Sequence, residues 1–221
     1  MLELLEGFGN TVLLFALTLL IALPLGLLFA LGSMSKFKPL KWVMKAIIWV
    51  IRGTPLMLQI FFVSFVPKYI LQTPALELAA ALNISITTLR YVFVVIAFVI
   101  NYACYFSEIY RAGIESIPYG QYEAGKVLGM TKSQVFFRVI LMQVVRRIMP
   151  PMSNEIITLV KDTSLARVMS VIDLLKAAEH AVNNYVDFTP FLYAIVFYLI
   201  FNGLLTLLFG WIEKKLSYYK V

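Results

Sequence analysis

Seven polar side chains interrupt the apolar stretches of this sequence, and their types suit the binding of a small polar molecule. The set is Asn101, Asn154, Glu155, Thr158, Asp162, Thr163 and Ser164. Glu155 and Asp162 are two helical turns apart, so both carboxylates lie on one helix face with Thr158 between them. Carboxylates and hydroxyls on one face suit an ammonium group or a cationic side chain. We therefore predict that this helix lines a polar pathway.

A structural role for the same residues is the alternative. A charge at mid-bilayer depth costs several kcal/mol and normally faces a cavity or a partner. Lys161 points about 100° away from its neighbour Asp162 and does not neutralise it within the helix. Lys161 or Arg167 could instead pair with a carboxylate elsewhere and form a buried ionic network. Asn101, in an apolar helix, most often forms an interhelical hydrogen bond.

A second informative segment, Glu123 to Leu141, is amphipathic, basic and broken by glycine. A short helix is predicted over residues 121–128, with Glu123 in its first turn, where the helix dipole favours an acid. Gly129 is placed to end that helix in a left-handed conformation. Thr131 and Gln134 have capping-box spacing and predict a second helix. The pattern fits a compact knob held by another protein, or an amphipathic loop that rests on lipid headgroups.

The composition places the chain among membrane proteins. It is 61% hydrophobic and 14% charged, against about 25% charged residues in soluble domains. The net charge is +7, but the basic residues are scattered, which argues against nucleic-acid binding. The single histidine, His180, and the single cysteine, Cys104, have no metal-ligand spacing, so no metal site is predicted. No H-E-x-x-H or G-x-S-x-G motif occurs, which argues against a membrane-embedded enzyme.

The elements that must position these residues are about five apolar spans in an all-α membrane protein. They are predicted at residues 11–31, 46–70, 91–106, 150–168 and 188–211, within a single domain of residues 1–221. Pro55 is expected to break the second span, and Pro150-Pro151 to start the fourth. Lysines concentrate in the first loop and after the last span, at Lys214, Lys215 and Lys220. This charge pattern predicts an outside N-terminus and an inside C-terminus.

Several motifs resemble the permease subunits of ATP-binding-cassette importers. Glu123-Ala124-Gly125, then Gly129 and Ile140-Leu141, resembles their EAA loop, although Gly125 stands where alanine is usual and Met142 where proline is common. A glycine there lowers helix propensity by about 1 kcal/mol, so a looser helix is expected. Four further segments resemble the polar amino-acid branch of these permeases. They are Arg52-Gly53-Thr54-Pro55-Leu56, Asn101 to Gly113, Pro150 to Glu155, and Lys161-Asp162-Thr163-Ser164-Leu165.

The resemblance implies that the knob is a coupling helix between spans three and four, seated in a groove of a cytoplasmic ATPase. Its contact residues would be Gln121, Glu123, Ala124, Gly125, Leu128 and Gly129. It also implies a second permease chain, an ATPase pair that binds ATP and Mg, an extracytoplasmic amino-acid-binding protein, and a place in the bacterial cytoplasmic membrane. The chain has no G-x-x-x-x-G-K-[ST] motif, so no cofactor is expected in it and hydrolysis is assigned to the partner.

The implied function is translocation of polar amino acids by alternating access, with the acidic face favouring a cationic substrate such as arginine, lysine or histidine. A stand-alone secondary transporter or channel is the alternative. Such a protein often shows inverted repeats, and none is visible in this sequence.

Overall fold

The computed structural model describes residues 2–70, 72–185 and 187–216, so Lys220 lies outside the described residues. Every regular element in these ranges is helical. In chain order they are α1 (Leu2–Ser33), α2 (Lys38–Arg52), α3 (Leu56–Tyr69), α4 (Ala75–Ala81), α5 (Ile86–Glu115), α6 (Tyr119–Val127), α7 (Lys132–Val135), a π-helical segment (Phe136–Ile140), α8 (Leu141–Asp162), a 3-10 segment (Thr163–Met169), α9 (Leu174–Tyr185) and α10 (Thr189–Leu216).

Three of the described helices, α1, α5 and α10, are long and apolar enough to cross a membrane. A fourth crossing is formed if α2 and α3, bent by 111° at a short break, count as one span. The polar helix α8 does not reach this level of hydropathy, so the fifth span remains a prediction. The all-helical class is confirmed for the described residues.

The break between α2 and α3 falls where Pro55 predicted it. Pro55 is the N-cap of α3, and its missing N–H is one that a helix start leaves unpaired anyway. The Gln59 amide donates to the carbonyl oxygens of Ile51 at 2.7 Å and Thr54 at 3.0 Å. These two bonds tie the first turn of α3 to the end of α2 and to the break, so a side chain of α3 helps to hold the bend.

The core forms where α1 packs along α5. Ala22, Ala30 and Gly26 face the larger side chains of α5, among them Phe98 and Phe106, which are fully buried. A Cβ at Gly26 would lie 2.9 Å from the Ala103 carbonyl oxygen. Small residues therefore let the two backbones approach closely, as they commonly do between membrane helices.

The predicted start of the fourth span at Pro150-Pro151 is wrong. Both prolines lie inside α8, which begins at Leu141 and is continuous with the π-helical segment and α7 before it. A proline pair resembles a helix start because the first turn needs no N–H partners. Here the prolines interrupt a longer helix, which membrane proteins tolerate where neighbouring helices compensate.

Candidate functional site

The knob is built from two short helices and a glycine turn. Helix α6 begins at Tyr119, two residues before the predicted start, so the prediction that Glu123 lies in the first turn is wrong. The helix begins earlier because Pro118 serves as its N-cap and Gly120 fits a helical turn. Gly129 has a φ of +72°, the left-handed conformation predicted for the helix end.

A capping box begins the second helix of the knob, as the sequence predicted. The Thr131 hydroxyl accepts the Gln134 N–H at 3.3 Å, and the Gln134 side-chain oxygen accepts the Thr131 N–H at 2.9 Å. Two backbone N–H groups at the start of α7 are thereby satisfied by the chain itself. The start of α7 is thus capped by its own side chains.

Gly125 packs the knob together. It is buried, and a Cβ at this position would lie 2.5 Å from Cγ2 of Val135. Val135 belongs to an apolar cluster with Ile117, Ile140 and Val144, which joins α7 to the base of α8. The missing methyl group allows α6 to lie against α7, whereas the expectation that Gly125 loosens α6 stays a prediction.

The tip of the knob is exposed and apolar. Val127 is 87% and Leu128 is 78% exposed, at the end of α6. Of the other predicted coupling residues, Gln121, Glu123, Ala124 and Gly129 are exposed as well. Adjacent exposed apolar side chains on a well-packed knob are typical of a protein contact. Gly125 differs from the other predicted coupling residues because it supports this surface from inside.

The polar face of α8 gathers most of the predicted pathway residues. Asn154 and Lys161 are exposed on it, with Glu155, Thr158 and Ser164 partly exposed. The hydroxyls of Thr158 and Ser164 donate to the carbonyl oxygens of Asn154 and Lys161 in their own helix. Each still has acceptor capacity for a ligand. Thr163 does not join this face, because it is fully buried and bonded to the Val160 carbonyl oxygen.

Asp162 is held by a side chain that the sequence did not reveal. The Tyr102 hydroxyl donates to Asp162 Oδ2 at 2.7 Å and joins α5 to the end of α8. Tyr102 is itself buried among the α5 aromatic rings Phe98 and Phe106. In the described part of the chain Lys161 forms no ion pair with Asp162, and Arg167 pairs with Glu179 instead. The second oxygen of the Asp162 carboxylate therefore has no cation on it.

Asn101 lies inside the bundle and not on the exposed face. It is buried, and its side-chain nitrogen donates to Gln59 Oε1 at 3.0 Å. Because Gln59 also closes the break between α2 and α3, Asn101 connects α5 to that break. This contact is the interhelical hydrogen bond that the sequence offered as the alternative to a pathway position.

A cavity of about 500 Å³ opens at the C-terminal end of α5 and is lined with ionic groups. Arg52 lies 3.7 Å from Glu108 and 5.1 Å from the centre of the Tyr105 ring. Arg111 makes a two-pronged contact with Glu108, at 3.1 and 2.6 Å. Glu155 lines the same cavity, so one side of α8 faces ionic groups from both α5 and the α2–α3 break.

The geometry thus defines a class of membrane protein, with a polar face across a helical bundle and a knob offered to a partner. No group of three or more metal-binding side chains occurs among the described residues.

The comparisons with known proteins place this class in a family. The model of the binding-protein-dependent transport system inner membrane component matches residues 22–218. This chain belongs to that family. The L-cystine transport system permease protein TcyB of Bacillus subtilis is 38% identical over 215 residues, covering 96% of this chain and 86% of the relative. The arginine ABC transporter permease protein ArtQ of Escherichia coli is 30% identical over 220 residues, covering 95% and 91%.

A solved structure has the same fold. The crystal structure of an amino acid ABC transporter with histidines superimposes with a TM-score of 0.81 at 29% identity, covering 96% of this chain and 94% of that chain. The resemblance to importer permeases predicted from the motifs is therefore confirmed.

Proposed function

We propose that this chain is the membrane-spanning permease subunit of an ATP-driven importer for polar amino acids. The observation that carries the proposal is the continuity between the knob and the polar face. Residues 132–162 form one helical run, from α7 through the π-helical segment to the end of α8. A force applied at the exposed tip passes from α6 to α7 through the contact between Gly125 and Val135, and α7 continues into the helix that carries Glu155 and Asp162.

The proposed assembly follows from the surfaces of the chain and from its relatives. A cytoplasmic ATPase pair, which binds ATP and Mg, seats the tip at Val127 and Leu128. A second permease chain, identical or paralogous, completes the pathway, and an extracytoplasmic binding protein delivers the amino acid. The chain acts as one permease domain of residues 1–221 in the bacterial cytoplasmic membrane, with its N-terminus outside. ATP binding closes the ATPase pair and turns the pathway outward.

The substrate is proposed to be an amino acid whose ammonium or cationic group meets the polar face of α8. Asp162 offers a carboxylate with no cation within ion-pair distance among the described residues, and Glu155 adds a second acid. A cationic amino acid such as arginine, lysine or histidine fits this face. Cystine is the second candidate, because a cystine permease protein is a relative at 38% identity.

The test is ATPase activity of the permease co-expressed with its cognate ATPase in liposomes, with binding protein and single amino acids added. Stimulation by one amino acid is expected and would name the substrate. Failure of the chain to form any complex with the ATPase would contradict the proposal and favour a stand-alone transporter or channel.

Two variants test the knob within that assay. Glu123→Lys reverses a charge on the exposed surface, and Gly129→Asp places a side chain on a left-handed backbone at a cost of about 1–3 kcal/mol. Both are expected to uncouple ATP hydrolysis from uptake while the protein still inserts. Gly120→Asp is the matched control, because a Cβ there meets nothing within 4 Å and an acid in the first turn suits the helix. Normal uptake in both test variants would count against docking.

A further inference from the structure

A second cavity, of about 350 Å³, lies at the opposite end of the bundle from the knob. It is enclosed by the end of α3, the start of α5 and the end of the 3-10 segment. Phe61, Phe65 and Phe93 form its apolar walls, and Lys68 and Arg90 stand at its rim. Its volume lies within the range of about 300–1,000 Å³ that small-molecule sites usually have.

The charged groups of this cavity are all positive. Neither Lys68 nor Arg90 has a carboxylate within ion-pair distance in the part of the chain that the structure describes. The ammonium of Lys68 lies 5.6 Å from the centre of the Tyr69 ring, a contact that leaves its charge in place. Two unneutralised cations from different helices, above aromatic walls, attract an anion and strengthen their hold on it as water is excluded.

The cavity continues the polar face of α8 outward. The exposed positions Asn154, Thr158 and Lys161 lead to Leu165 on the 3-10 segment, and Val168 then lines the cavity. Along α5, Arg90 precedes Tyr102 by twelve residues, or roughly 18 Å. Cations therefore stand at the outer mouth of the face, and the carboxylates Glu155 and Asp162 lie deeper.

We propose that this outer cavity is an entry site for the carboxylate group of the amino-acid substrate, with Lys68 and Arg90 as its ligands. The inference rests on the proposed importer function and adds a second site to it. A guanidinium binds a carboxylate through two parallel hydrogen bonds, and the ammonium of Lys68 adds a point charge. The amino acid is held here by the group that all substrates share before it moves deeper, toward Asp162.

The test is equilibrium binding of a labelled mixture of the twenty L-amino acids to the full permease chain in phosphatidylcholine nanodiscs. Acetate and methylammonium are the two competitors, one for each charged end. We expect acetate to displace a fraction of the bound label from the unaltered protein. In the double variant K68Q/R90Q, this acetate-displaceable fraction should be at least fivefold smaller. The double variant K68R/R90K should keep it. Lys36→Gln, a cation outside the cavity, is the matched control.

This assay contains neither ATPase nor binding protein, so its outcome is separate from that of the importer proposal. An unchanged acetate-displaceable fraction in K68Q/R90Q would overturn the entry site, provided that the variant purifies as a folded chain by thermal unfolding. A second outcome would also overturn it. If the chain purified from the membrane carries phosphatidylglycerol that K68Q/R90Q loses, while amino-acid binding is unchanged, the anion is a lipid phosphate.

Discussion

In helices α8 and α10, hydropathy and burial run in opposite directions. Helix α10 is apolar along its length and passes as a membrane span, yet Ala194 is its one buried residue among those described. Helix α8 fails the same test, yet it buries Met152, Ile156, Leu159 and Val160 and carries the polar face. Apolarity thus marks a helix that is mostly exposed in this chain, whereas α8 mixes buried apolar positions with exposed polar ones.

The space beside three glycines also differs between the two helices, one of them on α5 facing α8 and two on α10 itself. A Cβ at Gly113 of α5 would collide with Ile148 of α8, whereas a Cβ at Gly203 or Gly210 of α10 meets nothing within 4 Å. The α5 glycine that faces α8 is therefore closely packed, whereas these two glycines of α10 have free space beside them. Substitutions at matched positions can break or sharpen this contrast.

The largest effect is expected from Gly113→Leu, which forces bulk between α5 and α8. Overpacking of this kind costs about 1–3 kcal/mol or more, so the yield of folded permease and its unfolding temperature should both fall. Gly203→Leu on α10 is the control and should change stability by no more than about 0.5 kcal/mol. Equal losses in the two variants would show that α10 packs as tightly as α8.

A pH effect is expected at Asp173, which starts α9, the helix that packs on the buried end of α10. Burial raises the pKa of Asp173 to about 6, although Arg167 opposes the shift. The folded chain then binds this proton more tightly than the unfolded chain, so stability falls as the pH rises from about 4 to about 6. Asp173→Asn keeps the bond to the Lys176 N–H and should remove this fall.

The measurement for Asp173→Asn is the unfolding temperature between pH 4 and pH 8. At pH 7 the variant should be more stable by about 2–3 kcal/mol, since the charged form is no longer buried. A pH profile identical to that of the unaltered chain would show that Asp173 does not carry the dependence.

Asp162→Asn tests whether α8 has a role in transport that α10 lacks. The substitution keeps the size of the side chain and the Tyr102 hydrogen bond but removes the charge. We expect uptake to fall roughly tenfold, equivalent to about 1.4 kcal/mol, or its specificity to change. Thr206→Val on α10 is the control, because the Thr206 hydroxyl is exposed and bonds only to the Asn202 carbonyl oxygen. Unchanged uptake kinetics in Asp162→Asn would favour a purely structural carboxylate.

The smallest effect is expected where the two helices touch. The Ser153 hydroxyl donates to Glu213 Oε1 at 2.9 Å and joins α8 to the inner end of α10. Ser153→Ala should lower the free energy of unfolding by about 1 kcal/mol. Thr206→Ala, which removes a hydroxyl bonded within α10, is its matched control. A larger loss of stability in Thr206→Ala than in Ser153→Ala would contradict the expectation that the hydroxyl on α8 contributes more than the hydroxyl on α10.

Local chemistry made part of this structure readable from the sequence. Pro55 predicted the break, Gly129 the left-handed turn, and Thr131 with Gln134 the capping box. Each of these depends on residues within a few positions of one another, so the pattern is contained in the sequence. The roles proposed for the knob and the polar face as binding surfaces remain predictions.

The contacts that the sequence did not reveal are tertiary. Tyr102 meets Asp162 across sixty positions, and Asn101 meets Gln59 across forty-two. No periodicity distinguishes Tyr102 from the aromatic residues packed around it. The start of α8 was misplaced for a related reason, since the proline pair is a strong local signal for a helix start and the packing of Val144 under the knob overrides it.

The continuous helical run from Lys132 to Asp162 gives the molecule a mechanical property. It measures roughly 45 Å along the helix axis and connects α7 of the knob to the end of α8, where Asp162 meets Tyr102 of α5. With Pro150 as a pivot, the arm that reaches Asp162 is roughly 18 Å long. A tilt of about 10° then swings the carboxylate by roughly 3 Å, about the length of one hydrogen bond. A small tilt of this helical run is therefore enough to make or break a single contact of Asp162, such as its hydrogen bond with Tyr102.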